Sequence, residues 1–211
     1  MIYGFDTFEV TKSEASFNIT INNTIYGNNF TISVTNVTGG NEALNGTVVV
    51  TINGKDYNVT IENGKGSLVV TDILPVNNYL VNATLINPNC NAINNTNFNV
   101  TNATGSFNIK VSDIVYGDNF TINVTDAIGV NDELLNGTVV VLINGTEFNV
   151  TVVNGSGNAS YYKWLPVGDY DVNASLTVPN YYPMNSSCSF NVGNATGSFN
   201  INVSDITYGD N

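Results

Sequence analysis

The chain has 211 residues, 17 acidic and 5 basic side chains, and a net charge of −12. The five cations are all lysines and form no basic stripe, which excludes a nucleic-acid-binding protein and disfavours an anionic membrane surface. Histidine, arginine and glutamine are all absent, so the usual acid–base sets cannot be assembled and we expect no enzyme.

Internal repeats organise the chain. The motif Ser-Phe-Asn-Ile occurs at 16–19, 106–109 and 198–201, a spacing that fits one small domain per repeat. Neither junction between repeats resembles a flexible Gly/Ser tether, so we expect limited hinge freedom. We interpret the chain as an internal piece of a longer protein. The predicted parts are the end of an upstream repeat at 1–14, domains at 15–105 and 106–197, and the start of a third repeat at 198–211.

In the first repeat, apolar and polar residues alternate with a period of two, which predicts strands with one buried face. The predicted inward residues are Phe17, Ile19, Ile21, Phe30, Ile32, Val34, Val48, Val50, Ile52, Tyr57, Val59, Ile61, Leu68, Val70, Tyr79, Phe98 and Val100. They form seven strands with no helix-period segment, a pattern typical of an all-β sandwich.

The second repeat follows the same plan. Its predicted inward residues are Phe107, Ile109, Val111, Phe120, Ile122, Val124, Val139, Val141, Ile143, Phe148, Val150, Val152, Tyr170, Val172, Ala174, Leu176, Phe190 and Val192. A stretch at 161–164 is predicted to complete the set of strands. Trp164 stands where the first repeat has Ile73, and we interpret it as a lid on the core.

Asn-Gly pairs mark the predicted hairpins, because both residues accept the positive φ of a type I′ turn. The four pairs are Asn53-Gly54, Asn63-Gly64, Asn144-Gly145 and Asn154-Gly155.

A Leu-Pro corner precedes Tyr79 in the first repeat and Tyr170 in the second. A tyrosine directly after a corner and opening a buried strand resembles the tyrosine corner of immunoglobulin-type sandwiches. We therefore expect both rings to be buried, with each hydroxyl bonded to backbone upstream.

The order Asn-Gly-Thr-Val-Val-Val, Ile-Asn-Gly, Leu-Pro-x-x-x-Tyr-x-Val-x-Ala and a closing x-Phe-x-Val resembles the immunoglobulin-like repeats of bacterial and archaeal surface proteins. It is especially similar to the Asn/Thr-rich adhesin-like proteins of methanogenic archaea. The resemblance implies two tandem seven-stranded immunoglobulin-like β-sandwiches in an extracellular stalk that projects a distal binding region. It names no ligand and supplies no catalytic residues.

An alternative is a module that binds a glycan or a protein, such as a host or cell-surface ligand, through loops or exposed aromatic rings. The tyrosines of the less repeated segments are the candidates for such contacts: Tyr161, Tyr162, Tyr181 and Tyr182.

About 20 Asn-x-Ser/Thr motifs predict N-glycosylation of exposed strands, although a chain this rich in Asn and Thr also makes such motifs by chance. The candidate acceptors include Asn29, Asn45, Asn82, Asn102, Asn119, Asn144, Asn173 and Asn194.

Cys90 and Cys188 do not occupy equivalent positions, and we expect them not to be bonded to each other. We expect no cofactor. The acidic pairs leave open a calcium ion bound by loop carboxylates, and solvated carboxylates are the preferred interpretation. These pairs are Asp113/Asp118, Asp132/Glu133 and Asp169/Asp171.

The two partial repeats each contribute one apolar strand, Phe8/Val10 at one end and Phe199/Ile201/Val203 at the other. A lone strand can neither satisfy its backbone nor bury its apolar face. We therefore expect these ends to pack against the adjacent unit, or against another copy in a head-to-tail association.

Overall fold

The structure is a computed structural model that describes Glu9, residues 11–206 and residues 208–209. Strands dominate it, and the one helical element in this part of the chain is the 3-10 turn Val130–Asp132. None of the described residues forms a helix long and apolar enough to cross a membrane. Each repeat has seven strands of at least five residues and, in addition, one or two strands of only two residues. The predicted fold class, all-β with two sandwich domains, is confirmed.

The chain divides into two compact units. The first extends to Gly105 and also holds the short segments Gly129–Glu133 and Val178–Tyr182. The second holds Ser106–Ile128, Leu134–Thr177 and the residues from Pro183 onward. In the first unit β1 begins at Ser13, slightly before the start expected from the repeat.

The strands of the first unit are β1 (Ser13–Ile21), β2 (Thr24–Ile25), β3 (Phe30–Gly39), β4 (Glu42–Ala43), β5 (Gly46–Ile52), β6 (Lys55–Ile61), β7 (Gly66–Val70), β8 (Asn77–Ile86) and β9 (Cys90–Thr101). They follow the order β4-β3-β1-β9-β8-β5-β6, with β2 paired to β9 and β7 paired to β3. Strand β1 joins the layers, because Ser13 and Glu14 pair with β9 while Ala15 to Ile21 pair with β3.

The strands of the second unit are β10 (Ser106–Val111), β11 (Ile114–Val115), β12 (Phe120–Ile128), β13 (Gly137–Ile143), β14 (Thr146–Val152), β15 (Gly157–Tyr161), β16 (Gly168–Leu176) and β17 (Met184–Gly193). Here the two layers are separate sheets. One has the order β10-β12-β15 and the other the order β11-β17-β16-β13-β14.

The buried face of each strand follows the predicted alternation. In the first unit, all the predicted inward residues are buried except Leu68, which packs partly buried against the same core. In the second unit, only Tyr170 departs from the prediction, because its ring is half-buried. Period-two patterning thus predicted the inward residues of these strands almost without exception.

The turns predicted at Asn63-Gly64 and Asn154-Gly155 are present, but the hairpins predicted from them are wrong. Each turn closes only an isolated bridge, and the next strand then pairs in the other layer, β7 with β3 and β15 with β12. Where the chain crosses from one layer to the other, it has a glycine that lies against the backbone of the preceding strand. A Cβ on Gly66 would stand 2.1 Å from the Thr60 carbonyl oxygen, and one on Gly157 would stand 2.1 Å from that of Thr151.

The stretch predicted as a strand at 161–164 is also different, since β15 ends at Tyr161. At the far end, residues 198–206 form no strand, and Phe199, Ile201 and Val203 are 76–83% exposed. The expectation that this end packs against the adjacent unit is therefore wrong. Phe8 and Val10 lie outside the described residues, and association between copies stays a prediction.

Candidate functional site

The two corner tyrosines make equivalent hydrogen bonds. The Tyr79 hydroxyl donates to the Pro75 carbonyl oxygen at 2.8 Å, and the Tyr170 hydroxyl donates to that of Pro166 at 2.9 Å. Each ring stacks on the closing phenylalanine of its unit, Phe98 or Phe190. Burial raises the pKa of Tyr79.

The two corners differ in burial. Tyr79 is buried, whereas Tyr170 is half-buried and lines an open surface depression with Asn144 and Asp169. The expectation that both rings are buried is therefore wrong for Tyr170. Its hydrogen bond accordingly competes with water, while that of Tyr79 is better shielded.

The four Asn-Gly pairs all have positive φ at both residues, as a type I′ turn requires. The φ values of Asn and Gly are 50° and 77° at 53–54, 49° and 78° at 63–64, 46° and 73° at 144–145, and 50° and 77° at 154–155. Two of the turns are also capped by a side chain. The Asn63 N–H donates to Asn45 Oδ1 at 2.7 Å, and the Asn154 N–H donates to Asn136 Oδ1 at 2.7 Å.

The candidate glycosylation sites fall into two groups. Seven of the eight asparagines are exposed, namely Asn29, Asn45, Asn82, Asn119, Asn144, Asn173 and Asn194, and Asn102 is half-buried. Asn45 has a structural task, because its side-chain oxygen caps the turn at Asn63. Asn82 and Asn173 occupy equivalent exposed positions on the central strands β8 and β16.

Two of the four tyrosines predicted as ligand contacts have structural roles instead. The Tyr161 ring packs on Phe120 and Phe148, with centroids 5.8 Å and 4.8 Å away, and its hydroxyl bonds the backbone of Asn149. Tyr181 is buried and donates to the Glu133 carboxylate at 2.5 Å. Burial, followed by this bond, raises the pKa of Tyr181 to about 12. Tyr162 and Tyr182 are exposed, as a ligand contact requires.

Tyr162, a predicted ligand contact, belongs to an aromatic cluster whose other two members sequence reasoning did not place beside it. Trp164 was expected to cover the core, but 58% of it is exposed. Its indole N–H donates to the Tyr162 hydroxyl at 2.7 Å, and its ring meets Tyr116 edge to face with centroids 5.6 Å apart. The signal was present in the sequence, since residues two apart in an extended segment share a side. We call Tyr116, Tyr162 and Trp164 the aromatic cluster.

A triad of Lys55, Tyr57 and Asp72 lies beside the turn at Asn53-Gly54, where β6 begins. We call these three positions, and their equivalents in the second unit, the rim. The Lys55 ammonium pairs with the Asp72 carboxylate, and the Tyr57 hydroxyl donates to the same carboxylate oxygen at 2.8 Å. Burial, followed by the Asp72 bond, raises the pKa of Tyr57 to about 12. The bonds from Lys55 and then Tyr57 lower the pKa of Asp72.

The two cysteines do not pair, and Asp113 bonds the backbone. Cys90 is buried, Cys188 is half-buried, and both are free. Asp113 accepts the Asn191 N–H at 2.8 Å, as Asn23 accepts the Asn99 N–H in the first unit, which gives this carboxylate a structural role. No group of three or more metal-ligating side chains gathers anywhere among the described residues.

No family model matches the chain, and no curated protein matches it. The two-domain fibronectin type III segment of chicken tenascin is similar, with a TM-score of 0.50 and 15% identity over 81% of this chain and 97% of that one. The titin Z1Z2 pair has a TM-score of 0.47 and 15% identity over 88% and 100%. A bacterial ice-binding adhesin has a TM-score of 0.37 and 16% identity over 88% and 67%. The tenascin similarity shows the fold alone, a tandem pair of immunoglobulin- or fibronectin-type sandwiches.

Proposed function

We propose that the chain is a stalk segment of a cell-surface adhesin-like protein, built to hold a distal binding region away from the cell envelope. The observation that supports it most directly is the repetition of one sandwich with only residues 102–105 between β9 and β10. So short a connection restricts the paths that successive domains can take. A structural role also fits a chain without histidine or arginine, and we propose no catalytic activity.

The exposed asparagines support an extracellular location. Asn82 and Asn173 present sequons at equivalent places on the outer faces of β8 and β16, where a glycan would cover sheet rather than disturb the core. We propose that some of these sites are glycosylated in the native host. The test is glycopeptide mass spectrometry of the native protein, together with protease shaving of intact cells. Protein fully resistant to shaving but digested after lysis would contradict the surface location.

Small-angle scattering tests the stalk role. A stalk requires an elongated particle close to twice the length of one sandwich, with a narrow distribution of sizes. The matched control carries about ten Gly/Ser residues inserted after Thr104, which converts the junction into a flexible tether. If the native chain shows the same broad distribution of compact forms as this control, the stalk proposal fails.

Sedimentation tests the proposed association between copies of the chain. Residues 198–206 expose the apolar set of Phe199, Ile201 and Val203. The same motif, as β10, buries Phe107, Ile109 and Val111. Sedimentation at rising concentration should show reversible growth that the triple change of 199, 201 and 203 to Asn abolishes. A monomer at every concentration would contradict the association.

A further inference from the structure

The aromatic cluster of the second unit is an exposed surface that the stalk role does not use. Trp164 is 58% exposed, Tyr162 70% and Tyr116 40%. Tyrosine and tryptophan combine a large apolar face with a polar tip, and they dominate the energetics of recognition surfaces. We propose that this cluster binds a neutral pyranose unit of a carbohydrate. The proposal does not depend on the stalk role.

The Tyr162 and Trp164 rings are not needed to build the sandwich, whereas Tyr116 has a counterpart in Tyr26, which packs edge to face on Tyr181. The first unit has the same fold with Thr71 at the position of Tyr162 and Ile73 at the position of Trp164. Ile73 is itself exposed, so this position faces solvent in both repeats. Exposing an indole where an aliphatic residue suffices adds apolar surface in contact with water, which costs solvation free energy unless a ligand covers it.

The three rings hold one another in place. The Trp164 indole N–H donates to the Tyr162 hydroxyl, which fixes the indole relative to the phenol. Tyr116 meets Trp164 at an interplanar angle of 77°, so the two rings form the walls of a corner. A surface fixed before binding loses little conformational entropy when the ligand arrives. Since the Tyr162 oxygen acts as acceptor toward Trp164, its own proton stays available to donate to a ligand hydroxyl.

The charges of the chain disfavour an anionic ligand. The net charge is −12, and the chain has no arginine to grip a carboxylate or phosphate. Lys163 lies between Tyr162 and Trp164 in sequence, but its ammonium bonds Thr146 Oγ1 and sits 5.8 Å from the centroid of the Phe148 ring. The remaining chemistry is an apolar face beside hydroxyl donors. It matches a pyranose, which has a C–H face and a rim of hydroxyls.

Trp164 is the only tryptophan in the chain, so its fluorescence reports on the site directly. The experiment titrates the full chain with neutral hexaoses of glucose, mannose and N-acetylglucosamine and with tetramethylammonium chloride, at low and high salt. We expect at least one hexaose to give a saturable blue shift and to protect Trp164 from acrylamide quenching. Binding of a neutral sugar should be insensitive to salt, because no ion pair forms.

Two variants separate the site from the scaffold. Trp164→Ile restores the residue of the first repeat and should fold normally while lowering hexaose affinity at least about tenfold by calorimetry. Tyr162→Phe should lower it about fivefold through loss of the hydroxyl. The matched control, Ile73→Ala in the first unit, should leave affinity unchanged.

Three results would overturn the proposal: no response to any hexaose, a response to tetramethylammonium alone, or equal affinity in Trp164→Ile. The first two leave the cluster without the proposed ligand, and the third places binding elsewhere. None of them bears on the scattering test, so failure here is distinct from failure of the stalk proposal.

Discussion

The same three rim positions carry different chemistry in the two units. The first has Lys55, Tyr57 and Asp72, joined by an ion pair and a hydrogen bond. The second has Thr146, Phe148 and Lys163 at the equivalent positions. The lysine lies at the start of β6 in the first unit and in the segment after β15 in the second. In each unit its ammonium still lies near the equivalent aromatic ring, 5.4 Å from the Tyr57 centroid or 5.8 Å from that of Phe148.

This difference separates what the sandwich requires from what it tolerates. The buried residues of both units follow one pattern, and both chain crossings use a glycine against a carbonyl oxygen. The rim residues differ in charge and in hydroxyl position between the units, but both rims keep a cation beside an aromatic face. Aromatic exposure also differs, since Trp164 replaces Ile73 directly beside this rim. The units therefore share a scaffold and differ in surface chemistry.

The largest effect is expected where the units are the same. Gly66→Ala and Gly157→Ala should each lower the free energy of unfolding by about 3 kcal/mol, because the new methyl meets a backbone oxygen that cannot move aside. Gly197→Ala is the matched control, since nothing lies within 4 Å of its added Cβ. Chemical denaturation measures all three. A loss of under about 1 kcal/mol at both crossings would show that the backbone there adapts.

The corner tyrosines should separate the units. Tyr79→Phe removes a shielded hydrogen bond and should cost about 1.5 kcal/mol, whereas Tyr170→Phe, at a half-buried ring, should cost about 0.5 kcal/mol. Paired denaturation curves of the two variants test this. Equal losses would mean that the difference in burial has no energetic consequence.

A smaller effect concerns pH and belongs to the first unit alone. The pKa of Tyr57 is raised from 10.0 to about 12, so the folded state holds this proton more tightly than the unfolded chain. Its contribution to stability is therefore complete below pH 10 and is lost as the pH rises from 10 toward 12.

Tyr57→Phe supplies the ring of the second unit without the hydroxyl. We expect the variant to lose less stability than the parent when denaturation is repeated at alkaline pH. Tyr79 and Tyr181 titrate in both proteins and cancel in the comparison. Parallel stability curves for parent and variant would contradict the assignment.

Much of the fold could be predicted because its signals are local. Alternation along β1 places Phe17, Ile19 and Ile21 on one face whatever the strand's partners are. The turn at Asn63-Gly64 was also predictable from φ preferences. Its consequence was not, because the turn residues do not specify whether the next strand pairs with β6 or crosses to β3. In the structure Gly66 lies against the Thr60 carbonyl oxygen at this crossing, a contact that the turn residues do not specify.

The surface was harder to predict than the core. Tyr161 and Tyr162 are neighbours in sequence, yet one packs on Phe120 and Phe148 while the other is exposed. Their roles diverge because β15 ends at Tyr161 and the chain then leaves the sheet. Trp164 was assigned to the core because it replaces an aliphatic residue. Hydrophobicity alone cannot tell a buried ring from an exposed one when the end of the strand is unknown.

The smallest expected effect tests whether the three rim residues are energetically coupled, so that all three must change together. Asp72→Lys alone places two lysines together and leaves Tyr57 without its acceptor, so the melting temperature should fall slightly. Adding Lys55→Thr and Tyr57→Phe reproduces the triad of the second unit.

Although exposed ion pairs contribute little, the triple variant should recover the melting temperature that Asp72→Lys alone lost, because the new lysine regains a hydroxyl acceptor and an aromatic face. The cycle of single, double and triple variants isolates the coupling, and raised salt should shrink it. Strict additivity of the three changes would mean that the rim residues vary independently and that the resemblance between the two lysine sites is coincidental.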